Sequence, residues 1–194
     1  MNMNGFHKLA ERGFTLIETM VAVTILTLAI AGPLVTANRA IVAARISRDQ
    51  LTASYLAQEG IEYVRAMRDK EYLLAYQAGG PNVSTNAWSN FLNASINQCR
   101  STTCTFDPSR NMGSGSGMSL APCSGNSCAA LYLTQLSNGT YGYTQQGGTV
   151  TPFTRTVQAI DVSASDERIV SMVSWSYHGT PYSVTISDHL TPWQ

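Results

Sequence analysis

The sequence predicts an α+β protein: one long amino-terminal helix followed by a carboxy-terminal antiparallel β-sheet. Three observations carry this expectation. Residues 14–37 contain a single formal charge, Glu18. An apolar stripe of helical period continues to residue 74, and from Leu131 onward the pattern switches to period two. The chain has 194 residues, enough for one domain with a core of its own. Its 12 Lys+Arg balance 12 Asp+Glu, so a basic surface for nucleic acid is not expected. A hydrophobic share of 44% without net charge excludes the composition of a disordered chain. Three histidines and four cysteines leave few parts for catalysis, and no enzyme is expected.

The first element begins after a polar leader, residues 1–13, which carries Lys8, Glu11 and Arg12. Residues 14–37 as a helix reach about 36 Å, sufficient for a bilayer core of about 30 Å. Positive charge before the segment predicts a cytoplasmic amino end and export of the remainder of the chain. The expected organisation is a leader at 1–13, a transmembrane helix at 14–37, its continuation at 38–78 and a globular domain at 79–194. A cleaved secretory signal with Ala29-Ile30-Ala31 as its site competes, as does a plain membrane anchor. Neither explains Glu18, because an acid at the centre of a spanning helix costs about 2.5–3.5 kcal/mol and usually marks a function.

Arg12-Gly13-Phe14-Thr15-Leu16-Ile17-Glu18 resembles the processing site of type IV prepilins and of the pseudopilins of type II secretion. The resemblance implies a pilin-like fold, cleavage after Gly13 by a prepilin peptidase, and methylation of the new amine on Phe14. It implies partners too: other pilin subunits and an inner-membrane assembly platform. The chain would sit in the cytoplasmic membrane as a single-pass protein, then in an extracellular filament at the cell surface. Pro33 fits the same family. The physics of Glu18 stands beside this. A free ammonium on Phe14 lies four residues earlier, roughly 6 Å along a helix, and helical side chains lean toward the amino end. Glu18 can meet its own amino terminus or that of a neighbouring helix, and pairing between subunits would fix register.

Val42, Ile46, Ala53, Leu56, Tyr63, Met67 and Leu74 continue the helix as an apolar stripe. Arg45 with Asp49, Glu62 with Arg65, and Arg65 with Asp69 stand at pairing distance. Gly79-Gly80-Pro81 is a strong stop. One helix from Phe14 to Tyr76 is expected, bent near Gly32-Pro33 and weakened at Gly60. A coiled-coil dimer would also use such a stripe, but it is narrow and poor in Leu, which favours packing on a sheet.

Trp88, Phe91, Leu92 and Ile96 predict a short amphipathic helix. Cys99-x4-Cys104 and Cys123-x4-Cys128 bracket a polar loop containing the glycine-rich run 113–117. Export favours two disulfides. Of the three connectivities the two local pairs are preferred, with nested pairing next. Four thiolates could instead hold zinc, but export argues against it. No metal or cofactor is expected. The glycine run lacks a preceding strand and a following Lys-Ser/Thr, so it is a flexible loop and not a phosphate loop.

The sheet comes next. Turns at Ser137-Asn138-Gly139, Gln146-Gly147-Gly148 and His178-Gly179-Thr180-Pro181 separate strands at Thr140–Gln145, Phe153–Val162, Ile169–Tyr177 and Tyr182–Ser187. Apolar residues alternate with small hydroxyls, as in a sheet buried on one face. Pro152-Phe153-Thr154-Arg155-Thr156 and Val173-Ser174-Trp175 also look similar to minor pilins of the pilus-modification type. Asp188 and His189 are neighbours, which point to opposite faces of a strand. His7 leaves with the leader, and His178 lies in a turn. Tyr141, Tyr143, Trp175, Tyr177 and Tyr182 are read as sheet packing and not as a binding platform. The expected function is a structural subunit of a filament; an exported binding module, such as an adhesin or DNA-uptake subunit displayed on one, is the alternative.

Overall fold

A computed structural model describes residues 13–109, 117–125 and 128–192. The expected leader, apart from Gly13, and the glycine run up to residue 116 lie outside the described residues. Two compact units divide the chain, residues 1–46 and residues 47–194.

The first unit is helical wherever it is described beyond Thr15. Helix α1 spans Leu16–Ala78, so its first half makes up this unit. The expected bend at Gly32-Pro33 does not interrupt the helix, although Pro33 lacks the N–H that would close one turn. Val42, expected on the buried stripe, is exposed.

The second unit holds the rest of α1 and everything after it. Ala53, Leu56, Ala57, Gly60, Ile61, Tyr63, Val64, Met67 and Tyr72 of α1 are buried, a broader face than the predicted stripe. Leu74 departs from that stripe and is 47% exposed. Its place is taken by Tyr72 and Ala75, because the chain turns at Gly79-Gly80 and returns over that side of α1. The returning segment is α2 (Val83–Asn90), a π-helical turn (Phe91–Ser95) and α3 (Gln98–Ser101). Trp88, Phe91 and Ile96 enter the core as the spacing predicts. Ser95 Oγ donates to Glu71 Oε1, and Trp88 Nε1 to the Ala164 carbonyl at 2.9 Å.

Among the described residues seven strands form one sheet, every pair antiparallel: β1 (Cys104–Thr105), β2 (Ala121–Pro122), β3 (Ala130–Gln135), β4 (Tyr141–Thr144), β5 (Thr149–Ser163), β6 (Asp166–Tyr177) and β7 (Thr180–Leu190). The long β5 is the hub, pairing with β1, β3 and β6. Strands β6 and β7 form an uninterrupted hairpin from Tyr177↔Thr180 to Glu167↔Leu190. Its turn residues His178 and Gly179 have φ of 49° and 80°, the left-handed pair that matches the twist of a tight hairpin.

The inward-facing rows are Phe153, Arg155, Val157 and Ala159 on β5, and Glu167, Ile169, Ser171, Val173 and Trp175 on β6. Helix α1 covers them, which makes the unit a helix packed on an antiparallel sheet, α+β and pilin-like. Gly60 has a specific duty here. A Cβ at that position would lie 2.2 Å from Ser171 Oγ, so the missing side chain lets α1 approach β6. Arg65 keeps Glu62 at 2.5 Å but turns its other nitrogen to Asp188 on β7 at 2.6 Å; Asp69 is held by Arg68.

Candidate functional site

The amino-terminal site is built around the start of α1. Gly13, Phe14 and Thr15 precede the helix, and nothing lies within 4 Å of the position a Cβ would take at Gly13. Phe14 is 80% exposed, so the described residues leave the Gly13–Phe14 bond largely uncovered. Thr15 is the residue before the first helical position. Its Oγ1 accepts from the Glu18 N–H at 3.2 Å, and its carbonyl accepts from the Thr19 N–H at 3.1 Å. Thr15-x-x-Glu18 therefore has the spacing of a capping box, with the carboxylate in the first turn, where the helix dipole favours negative charge. Glu18 has no cation partner among the described residues.

The surface behind Glu18 is apolar all round. Thirteen large apolar side chains from Phe14 to Ile41 are between 51% and 80% exposed. A helix of this kind needs lipid or other protein around it. The segment is long and apolar enough to cross a membrane. Its threonines are compatible with that setting. Thr19, Thr24, Thr27 and Thr36 each donate their hydroxyl to a carbonyl three or four residues back, at 2.8–2.9 Å for the shorter bonds. The hydroxyls thus stay satisfied without water.

The second unit carries the cysteines and two ion pairs, four charged groups in all, whose pairing the sequence does not announce. Cys99 pairs with Cys104, and Cys123 with Cys128. The first pair is fully buried in the core. Arg100, next to it, grips the fully buried Glu167 with two hydrogen bonds, Nε to Oε1 at 2.9 Å and Nη2 to Oε2 at 2.6 Å. That carboxylate bond is the main reason the Arg100 pKa is raised. Arg155 is fully buried, lies 3.7 Å over the Phe106 ring, and pairs with Glu59 of α1. Burial pushes its pKa down, while Glu59 opposes the shift. Arg155 was discoverable, since it occupies an inward position between Phe153 and Val157 in the alternation of β5.

Asp188 and His189 do diverge, Asp188 to Arg65 and His189 Nδ1 to Asp166 at 2.8 Å. His178 meets only the edge of Tyr177 among the ring contacts of the described residues. Three of the five aromatics read as packing join the core: Trp175 stacks on Tyr182, and Tyr143 lies edge-on to Phe153, whereas the ring of Tyr177 meets that of its turn neighbour His178. Tyr141 does not join the core. It is 67% exposed beside a cleft between α1 and β4, because it lies at the end of the short strand β4 where α1 leaves it uncovered.

Residues 8–32 match the family described as the prokaryotic N-terminal methylation motif. No curated protein and no solved structure matches the chain. The matched stretch includes Gly13, Phe14 and Glu18 and ends one residue before Pro33.

Proposed function

We propose that this type IV prepilin-like chain is a structural subunit of a pilus-like filament, of the minor pilin or pseudopilin kind. A prepilin peptidase cuts after Gly13 and methylates the Phe14 amine. The subunit waits in the cytoplasmic membrane, and an inner-membrane assembly platform adds it to sister pilin helices in a filament that reaches the cell surface. One observation carries this reading: Glu18, a carboxylate with no cation partner among the described residues, sits in the first turn of an uncovered apolar helix, inside the matched methylation motif.

Magnitudes separate two jobs. Burying one Leu, Ile, Val, Met or Phe side chain is worth about 1.5–3 kcal/mol, so thirteen of them outweigh the roughly 2.5–3.5 kcal/mol cost of one acid. Apolar surface therefore places the helix in the bilayer despite Glu18. It supplies no drive from bilayer to filament, because lipid tails are as apolar as a neighbouring helix. Register must come from packing and from the one charged side chain in residues 14–37, Glu18, meeting the methylated ammonium of Phe14 on an adjacent subunit.

The test is recovery of the chain in sheared filaments from cells with a prepilin peptidase and an assembly machine. Wild type enters them. Glu18→Gln, which keeps shape and removes charge, is inserted and cut but excluded; normal entry of that variant would refute the pairing. A second reading, an exported binding module displayed on such a filament, is favoured by the exposed tyrosines beside the α1–β4 cleft.

A further inference from the structure

The assembly role leaves the cleft between α1 and β4 unused. It has a volume of about 440 Å³ and is lined by Thr52, Tyr55 and Glu59 from α1 and by Tyr141 and Tyr143 from β4. That size falls in the range of roughly 300–1,000 Å³ found for small-molecule sites. Tyr55 and Tyr141 are 65% and 67% exposed, so both leave much of their aromatic surface in water. Tyr143 is held between them and the core, edge-on to Phe153 with ring centroids 6.1 Å apart. The three tyrosines make no ring contact with one another among the described residues, and the space they border is open.

Polar groups converge on the same space. Glu59 gives Oε2 to Arg155, and Oε1 accepts no hydrogen bond among the described residues. The Tyr143 hydroxyl has no partner among them either. Burial, the largest influence on it, raises its pKa and keeps it a neutral donor. Thr52 spends its proton on the Arg48 carbonyl at 3.1 Å and keeps its lone pairs free.

These features select a ligand class. A quaternary ammonium ion favours aromatic rings with uncompensated negative charge, but Glu59 is neutralised by the buried Arg155. A proline-rich segment packs on tyrosines, and its carbonyls can accept from the Tyr143 hydroxyl, but proline has no N–H to donate to the free Glu59 Oε1. A sugar ring supplies both halves of the match: C–H faces for the tyrosines, hydroxyl donors for Glu59 Oε1, and ring or hydroxyl oxygens for the Tyr143 hydroxyl. We propose that the cleft binds a neutral saccharide, with Tyr55 and Tyr141 as stacking surfaces and Glu59 and Tyr143 as the orienting acceptor and donor. The proposal rests on the second reading above, a binding module, and is independent of filament entry.

The experiment is titration of the full chain in lipid nanodiscs with a panel of neutral methyl glycosides, read by calorimetry. Choline chloride and a proline-rich peptide run in parallel. At least one glycoside binds wild type saturably, with an affinity unchanged between low and high salt. Tyr141→Ala and Tyr55→Ala each weaken it about tenfold or more. Both side chains are exposed, and an unchanged melting temperature confirms the fold. Binding that survives both substitutions overturns the proposal. Choline or peptide binding alone overturns the saccharide assignment and keeps the binding-module reading. No binding by any of the three overturns both.

Discussion

The two units treat charge in opposite ways. In the carboxy-terminal unit Glu167 is fully buried, yet both its oxygens are occupied by Arg100, and the fully buried Arg155 meets Glu59 within the same unit. In the amino-terminal unit Glu18 stands in an apolar helix with no cation beside it among the described residues, and the apolar side chains around it are uncovered. One unit closes its interactions on itself. The other leaves both its hydrophobic surface and its charge to be completed by other molecules. A removed partner should therefore harm stability in one unit and assembly in the other.

The sharpest way to break this contrast is to neutralise one carboxylate in each unit. Breaking a buried ion pair costs about 3–5 kcal/mol, so Glu18→Gln should lower filament entry by roughly a hundredfold or more. The same change should leave the melting temperature of the carboxy-terminal unit within about 1 °C, since ordinary surface substitutions shift stability by less than about 0.5 kcal/mol. A parallel drop in melting temperature would erase the distinction.

Arg100→Ala should do the reverse. It strands Glu167 without its cation, and unfolding titrations should show a loss of about 3–5 kcal/mol. The paired replacement Arg100→Leu with Glu167→Leu should recover most of that loss, because apolar substitutes remove the desolvation cost as well as the attraction. If the double variant is as weak as the single one, the pair is not the unit of stability it is taken to be.

A smaller effect concerns the contact between α1 and β6. Gly60→Ala should cost about 1–3 kcal/mol as overpacking, because its Cβ would overlap Ser171 Oγ. Ser171→Ala should be neutral or stabilising by up to about 1 kcal/mol, since that buried hydroxyl has no hydrogen-bond partner among the described residues. Combined with Gly60→Ala it should return part of the loss, and a melting series of the three variants checks this.

How much of the molecule the sequence revealed depended on element length. The 63-residue α1 and the long β5, β6 and β7 carry enough repeats for period to declare them. The His178-Gly179 turn was legible because glycine tolerates a left-handed backbone that the hairpin demands. Two-residue strands β1 and β2 have no period to read, and they form only because β5 offers an edge to β1. The π-helical turn after α2 is likewise set by packing of Phe91 and Ile96 and not by local pattern. Leu74 failed as a core residue because the stripe cannot say where the returning chain will cover it.

At the site, Gly13, Phe14 and Glu18 stood out because a lone charge in an apolar run is conspicuous in one dimension. The buried charges escaped because their partners are far apart in sequence: Glu59 from Arg155, and Arg100 from Glu167. The exposure of Tyr141 escaped for a related reason. Alternation places a residue on a face, but only the fold shows whether that face is covered at that point.

On the proposed reading, the amino-terminal unit becomes a filament element by exposing a charged chain start four residues before Glu18. Intact mass and amino-terminal sequencing of the chain extracted from membranes of cells containing a prepilin peptidase test it most directly. The expected product begins at an N-methylated Phe14 and still partitions with membranes. A product beginning after Ala31, or one retaining residues before Phe14 as the stable form, would contradict it.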